Sequence, residues 1–361
     1  MSAEKHVVVL VHGMGKHPPG DFRRRFIGAV NAAMRRYRGF EDKKIENLVV
    51  IEEASYDAIF DEARERMARR SLSVYDRLAR IDALTGRGPG LVLKLANIER
   101  RLDRDEYLYT HLLDVVLYST LLGARARIEV GRRLARIMAD YPTRKIHVVA
   151  YSLGTAVVHD TLDLLYRENA GFSDGVPGLD VDRHRLASVW MIANVSRLMA
   201  SVTGLTEPYA SLVRPAPGGC TDSLFNVRHK LDVFTWFRRF EPANDESWIP
   251  REHYERAYVS IETSAVRQAN THDFANYIES PEVSVPLLRR LVRLSPDQAE
   301  TDRVAGEYRK SEIPGAFDEL LEALSEIRVT ERATLTEVAI AVREYRQIVE
   351  HFRVQLDAVA S

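Results

Sequence analysis

The sequence predicts an α/β protein whose mostly parallel sheet is covered by helices on both faces. Short runs of β-branched and apolar residues, such as residues 6–11 and 189–193, have the composition of strands that are buried on both sides. Longer segments with apolar residues at helical spacing separate these runs, and this alternation is typical of βα units. A length of 361 residues suits one large α/β domain with insertions.

The first part of the chain begins with a βαβ pattern. Residues 6–11 predict the first buried strand, residues 22–37 predict a helix rich in arginine, and residues 47–51 predict the second strand. Residues 56–105 are charged and helical, and we interpret them as an insertion. Its place between a core strand and the next core helix suits a cap over an active site, and a solvated surface decoration fits the same pattern.

The remaining strands follow in the second part of the chain. A helix over residues 107–138 ends at Tyr141-Pro142, and residues 145–158 then predict a strand, a tight turn and a helix. Further strands are predicted at residues 189–193, 224–227 and 259–261.

A helical extension follows the part of the chain that forms the sheet. No strand pattern returns after about residue 295, so we divide the chain into an α/β domain of residues 1–295 and a C-terminal extension of residues 296–361. The last helix begins at a capping-box pattern, Thr334 to Glu337. It carries a coiled-coil-like seam of apolar residues spaced by three and four: Leu335, Val338, Val342, Tyr345, Val349, Phe352, Leu356 and Val359. This seam can pair with a second copy or a partner helix, which we favour, or pack on the α/β domain itself.

The charge balance and the cysteine content limit the partners and the compartment. The chain has 51 Lys and Arg residues against 52 Asp and Glu residues, so its net charge of −1 creates no global attraction to nucleic acid or to an anionic membrane. A transient contact with a membrane surface through a local patch stays open. The lone Cys220 excludes an internal disulfide framework, and the sequence shows neither a signal-like segment nor an apolar run of about eighteen residues. We therefore expect a cytoplasmic protein.

Ser152 lies at the turn between a predicted strand and a predicted helix, and we predict that it is a nucleophile. A serine on such a sharp turn has a strained backbone, so the positions two before and two after it must be small. Here they are Ala150 and Gly154. An ordinary strand-to-helix turn can show the same pattern, and the rest of the chain makes that alternative weaker.

The loop after the first strand, His12-Gly13-Met14-Gly15, predicts half of an oxyanion hole. Gly13 and Gly15 let the backbone approach a ligand closely, and the N–H of Met14 can then meet a developing oxyanion together with the N–H of Leu153. A dinucleotide-binding loop is the rival interpretation. Pro18 disfavours it, because a third glycine belongs at that position.

A histidine and a carboxylate with suitable positions complete the predicted site. A serine on this turn is served by an acid after an earlier strand and a histidine after the last one, in the chain order Ser, Asp, His. Asp232 follows the strand at residues 224–227, and His272 follows the last predicted strand. Asp222 and Asp245 are weaker candidates for the acid, since one precedes that strand and the other lies well beyond it.

Most of the other histidines are predicted to be structural. His159 lies too far along the helix after Ser152 to reach the hydroxyl, His229 precedes the predicted acid, and His253 precedes the last strand. His12 is expected to shape the oxyanion loop. No set of histidines and carboxylates has convincing metal-ligand spacing, so we predict neither a metal nor a cofactor.

Together, the oxyanion loop at residues 12–15, the turn at residues 150–154, Asp232 and His272 resemble the α/β-hydrolase superfamily over roughly residues 5–295. Residues 225–232 and 114–118 resemble, more loosely, intracellular lipases and phospholipases of the DDHD type. The resemblance implies a serine esterase or lipase that cleaves a small acyl ester or a lipid through an acyl-enzyme. The alternative is an interaction protein that keeps the hydrolase fold as a scaffold and recruits a partner through its helical tail.

Overall fold

The computed structural model describes residues 4–13, 18–69, 118, 122–167, 175–203, 207–242, 248–267 and 270–311, and eight single positions between residues 322 and 348.

A single sheet of six parallel strands forms the centre of the described structure, with the order β2-β1-β3-β4-β5-β6. The strands are β1 (Val7–Val11), β2 (Val50–Glu53), β3 (Ile146–Tyr151), β4 (Ser188–Ile192), β5 (Leu224–His229) and β6 (Tyr258–Thr263). The parallel sheet of an α/β protein is thereby confirmed. Because all strands run in the same direction, the loops at their carboxyl ends meet along one edge of the sheet.

Helices cover both faces of this sheet. They are α1 (Asp21–Met34), α2 (Ile45–Leu48), α3 (Asp57–Arg69), α4 (Gly123–Asp140), α5 (Leu153–Tyr166), α6 (Ser196–Thr203), α7 (Arg251–Ala257), α8 (Phe274–Glu279), α9 (Pro281–Val292) and α10 (Gln298–Arg309). None of the helices in the described ranges combines the length and the apolar character that crossing a membrane requires.

Alternate side chains of β1 pack on opposite faces of the sheet. Val7, Val9 and Val11 belong to a core that includes α4 and α5, whereas Val8 and Leu10 belong to a second core that includes α1 and α9. All five side chains are fully buried. A strand that is buried on both faces needs a continuous apolar run, which is why residues 6–11 could be identified from the sequence.

The second strand begins later than the sequence predicts. Residues 47–51 are expected to be extended, but Ile45–Leu48 form the short helix α2 and the strand begins at Val50. The side-chain oxygen of Asn31 accepts a hydrogen bond from the Ile45 N–H at 2.8 Å, and its amide donates to Glu46 at 3.0 Å. This contact with α1 stabilises a helical turn, and the local apolar pattern does not contain it.

The predicted insertion and the C-terminal extension are described in part. Of residues 56–105, the structure describes α3, and the rest of the proposed cap lies outside the described residues. In the extension, Ala341 and Tyr345 are buried in the core that includes β1 and α5. The extension therefore packs on the α/β domain at these two positions. The other residues of the seam lie outside the described part of the chain, and their pairing with a partner stays a prediction.

Candidate active site

Ser152 occupies the sharp turn between β3 and α5. Its backbone has φ 53° and ψ −127°, a region that residues with a side chain rarely adopt. Hydrogen bonds hold the turn: the Ser152 N–H donates to the Ile192 carbonyl at 2.9 Å, and the Ser152 carbonyl accepts from the Thr155 hydroxyl at 2.7 Å and from the Thr155 N–H at 2.9 Å. The strained turn that the sequence predicts is present, and it places the serine at the carboxyl edge of the sheet.

Gly13 and Gly154 lie where the end of β1 meets the serine turn. A Cβ atom added to Gly154 would lie 2.2 Å from the His12 carbonyl oxygen and 2.6 Å from that of Val11. One added to Gly13 would lie 2.7 Å from the Ser152 Cβ. The end of β1 is therefore pressed against the serine turn, and only residues without a side chain allow this approach.

The structure brings Ser152, His272 and Asp232 within hydrogen-bonding distance of one another. The Nε2 atom of His272 lies 3.0 Å from the Ser152 Oγ. The Nδ1 atom of the same ring lies 2.6 Å from Oδ2 of Asp232. Asp232 follows β5 and His272 follows β6, so parallel strands bring side chains 40 and 120 residues apart to one edge of the sheet.

The carboxylate of Asp232 is fully buried and has three donors. Its Oδ1 accepts from the Phe234 N–H at 3.0 Å, and its Oδ2 accepts from both His272 and the Tyr277 hydroxyl, the latter at 2.5 Å. Burial alone raises the pKa of a carboxyl group, but His272 and the Tyr277 hydrogen bond outweigh it and hold the pKa of Asp232 below its ordinary value. The carboxylate is therefore maintained in its ionised form.

Tyr277 is a residue of this site that the sequence did not reveal. Burial, together with the adjacent Asp232, raises its pKa well above the ordinary value for tyrosine, so its hydroxyl remains a proton donor. Tyr277 lies on α8, in the segment that follows His272. In the sequence, an aromatic residue on a short helix cannot be distinguished from an ordinary core residue.

Neighbouring groups fix the orientation of His272 and shield it from water. The Tyr151 hydroxyl donates to the His272 carbonyl, and the His272 N–H donates to Oδ1 of Asn270 at 3.1 Å. The ring of Phe234 lies against the imidazole, with 4.5 Å between ring centroids. Ser152 and His272 are exposed to only 2% and 4%, so the site is enclosed.

One of the two predicted oxyanion donors lies within the described residues. Leu153 is the first residue of α5, so its N–H has no acceptor within the helix and lies directly beside Ser152. Met14 and Gly15 lie outside the described residues, so the second donor stays a prediction. Gly13, the residue before Met14, lies against Ser152.

His12 braces the start of this loop. It is fully buried, with Nδ1 2.8 Å from the Gly13 carbonyl oxygen and Nε2 2.9 Å from Oδ2 of Asp57. Its ring stacks on Tyr56, whose hydroxyl donates to the His12 and Gly13 carbonyls at 3.0 and 3.2 Å. These contacts agree with the prediction that His12 shapes the loop.

Asp222 and His229, two rival candidates from the sequence, make other contacts. Asp222 precedes β5, its side chain is 60% exposed, and it pairs with Arg185 at 2.6 Å. Asp245 lies outside the described residues. His229 accepts from the Leu231 N–H through Nδ1 and donates to the Ala265 carbonyl through Nε2, and burial lowers its pKa. It is therefore a neutral histidine that holds a turn.

His159 pairs with a different serine, Ser211. Its Nε2 lies 2.8 Å from the Ser211 Oγ. Ser211 has ordinary extended backbone angles, with φ −89° and ψ 166°, and is fully buried. This pair lacks the strained turn that exposes a nucleophile, and it supplies an internal comparison for Ser152.

Neither clustering of ligand-type side chains nor similarity to other proteins identifies the site. In the ranges that the structure covers, no group of three or more histidine, cysteine, aspartate or glutamate side chains could hold a metal ion. No protein-family model matches the chain, and searches of curated proteins and of solved structures found no significant match. The function has to be inferred from the geometry.

Proposed function

We propose that the protein is a serine hydrolase with an α/β-hydrolase fold that cleaves acyl esters. The observation that carries this proposal is the hydrogen-bonded series from Ser152 through His272 to the buried Asp232, with the serine on a strained turn. This arrangement turns a weakly nucleophilic hydroxyl into a reactive one. The parallel sheet and the chain order Ser, Asp, His support the proposed fold family.

In the first half of the reaction, Ser152 Oγ attacks the ester carbonyl carbon while His272 Nε2 accepts the hydroxyl proton. The carbonyl oxygen becomes an oxyanion, which the N–H of Leu153 and the predicted N–H of Met14 stabilise. The tetrahedral intermediate collapses, the bond to the alcohol oxygen breaks, and His272 returns its proton to the leaving alcohol. The acyl group remains on Ser152.

In the second half, water replaces the alcohol. His272 accepts a proton from the water, whose oxygen attacks the acyl carbon, and the proton then returns to Ser152 Oγ as the carboxylic acid leaves. In both halves the imidazole becomes positively charged, and the ionised Asp232 stabilises this charge and selects the tautomer that carries its proton on Nδ1. The reaction requires no cofactor.

The proposed substrate is a small acyl ester or a lipid. Ser152 and His272 are almost completely buried, which favours a small or flexible substrate over a bond on the surface of a folded protein. An acyl chain with a narrow ester group fits an enclosed site better.

A scaffold that recruits a partner through its tail is the second candidate function. In favour of the enzyme, a scaffold has no need for a strained serine turn, which costs folding free energy, or for a histidine held between that serine and a buried carboxylate. The burial of Tyr345 against the α/β domain also gives the extension a role within the chain.

A fluorophosphonate probe tests the proposal, because it reacts covalently with activated serines. We expect labelling of the wild-type protein at Ser152 and none in Ser152→Ala, whose ester hydrolysis falls by a factor on the order of 10⁶. Ser211→Ala is the matched control, because it removes a different buried serine that also pairs with a histidine, and it should label normally. A folded wild-type protein that stays unlabelled and hydrolyses no ester in a series of increasing acyl chain length contradicts the enzyme proposal.

A further inference from the structure

The loops that carry His272 and Asp232 are joined by one buried hydroxyl. Thr271 directly precedes His272, and Leu231 directly precedes Asp232. The Thr271 Oγ1 donates to the Leu231 carbonyl at 3.0 Å, and Thr271 is fully buried. The separation between the proposed base and acid therefore depends on a hydrogen bond between the residues beside them.

Tyr345 of the C-terminal extension adds a second hydrogen bond to this link. Its hydroxyl is hydrogen-bonded to the Thr271 Oγ1, although the two residues are 74 positions apart in the chain. Because the single proton of the Thr271 hydroxyl points to Leu231, the Thr271 oxygen accepts from Tyr345. Consecutive hydrogen bonds of this kind strengthen each other in a buried environment.

We propose that Tyr345 is a positioning residue and that the C-terminal extension completes the active site through it, an inference that rests on the proposed function. Tyr345 is 5% exposed, and its hydroxyl meets Thr271, the residue beside His272. It acts through Thr271, by holding the two loops at the spacing that the His272–Asp232 hydrogen bond requires. A misplacement of about 1 Å in such a group can reduce a rate by roughly 100-fold, so a modest loosening is measurable.

Substitutions at both ends of the Tyr345–Thr271 hydrogen bond test this inference. Tyr345→Phe keeps the ring and removes the hydroxyl, Thr271→Val removes the hydroxyl at nearly constant volume, and Thr271→Ser keeps it. With a p-nitrophenyl acyl ester, we expect Tyr345→Phe to lower kcat roughly threefold to tenfold at unchanged KM, since one hydrogen bond is at stake. Thr271→Val should lower kcat at least as much, and Thr271→Ser should stay close to the wild type.

The double variant separates positioning from general stability. If Tyr345 acts through Thr271, adding Tyr345→Phe to Thr271→Val should cause no further loss of kcat. Tyr166→Phe is the matched control, because the Tyr166 hydroxyl is also buried and donates to a backbone carbonyl, that of His184, away from the site. It should change the melting temperature and leave kcat and its pH profile unchanged.

An NMR measurement tests the role of Tyr345 without relying on activity. The His272 Nδ1 proton, held between the ring and Asp232, should give a downfield signal that exchanges with water faster in Tyr345→Phe than in the wild type or in Tyr166→Phe. Equal kcat, equal pH profiles and equal exchange in Tyr345→Phe and the wild type would overturn the inference. A wild type that shows this signal but is not labelled at Ser152 would contradict the proposed function, and the exchange comparison would still decide the role of Tyr345.

Discussion

Replacing Asp232 by asparagine should strongly reduce the activity of the proposed enzyme, because it favours the wrong tautomer of His272. In the structure, Oδ1 of Asp232 faces the Phe234 N–H, a backbone donor that cannot become an acceptor, and Oδ2 faces His272. An asparagine would satisfy the fixed donor with its oxygen and turn its NH₂ group toward the imidazole. His272 would then accept at Nδ1 and carry its proton on Nε2, where it cannot take the proton of Ser152.

The size of the effect follows from these contacts. The opposite amide orientation keeps the reactive tautomer but leaves the buried Phe234 N–H facing another donor, which costs roughly 1–3 kcal/mol. The reactive form is thereby reduced by a factor of roughly 5 to 150. The asparagine also lacks the negative charge that stabilises the imidazolium, which accounts for a further loss of about 100-fold or more. We expect kcat/KM to fall by a factor on the order of 10³–10⁴.

Steady-state hydrolysis of an acyl ester and the rate of fluorophosphonate labelling measure this loss, with a melting curve to verify folding. Asp222→Asn is the matched control, since Asp222 is a largely exposed carboxylate paired with Arg185 at the other end of β5, and it should retain wild-type activity. Asp232→Asn should also be less damaging than His272→Ala, because the imidazole itself moves the proton. An Asp232→Asn protein that keeps more than about a tenth of the activity, or is less affected than Asp222→Asn, would refute the reasoning.

Three further predictions follow from other contacts. Tyr277→Phe removes a hydrogen bond from Asp232, so the carboxylate should pair more strongly with the imidazolium. The acid limb of the kcat/KM profile should therefore move to higher pH, and an unmoved limb contradicts this prediction. Gly154→Ala forces a Cβ against two backbone oxygens, so the free energy of unfolding in urea should fall by roughly 1–3 kcal/mol and labelling of Ser152 should slow, whereas Gly28→Ala, with open space around it, should do neither. Burial, with the charges of His6, Arg290 and Lys145, lowers the pKa of His147 to about 3 from 6.5, so the unfolded chain binds a proton below pH 6.5 that the folded protein rejects. Lowering the pH from about 7.5 to about 5.5 should therefore reduce the folding equilibrium constant roughly tenfold more in the wild type than in His147→Asn, and equal losses would contradict the assignment.

The sequence by itself determined the features that depend on residues close together in the chain. A strand buried on both faces requires an apolar run, so the parallel sheet could be predicted, with β2 as the strand whose start was misplaced. The serine turn could be predicted because its backbone tolerates only small neighbours, and Gly154 indeed lies against the end of β1. Asp232 and His272 could be selected because parallel strands bring the loops at their carboxyl ends together.

Only the tertiary structure decided which side chains support these three residues. Tyr277 donates to Asp232, and Tyr345 is hydrogen-bonded to Thr271. In the sequence, both tyrosines look like ordinary apolar positions of helices. The start of β2 was misplaced for the same reason, because Asn31 stabilises a helical turn 14 residues further along the chain. The spacing of apolar residues along a chain indicates which face of a helix or strand is buried. The donor or acceptor that a buried hydroxyl meets depends instead on how distant segments pack, and no local pattern encodes that choice.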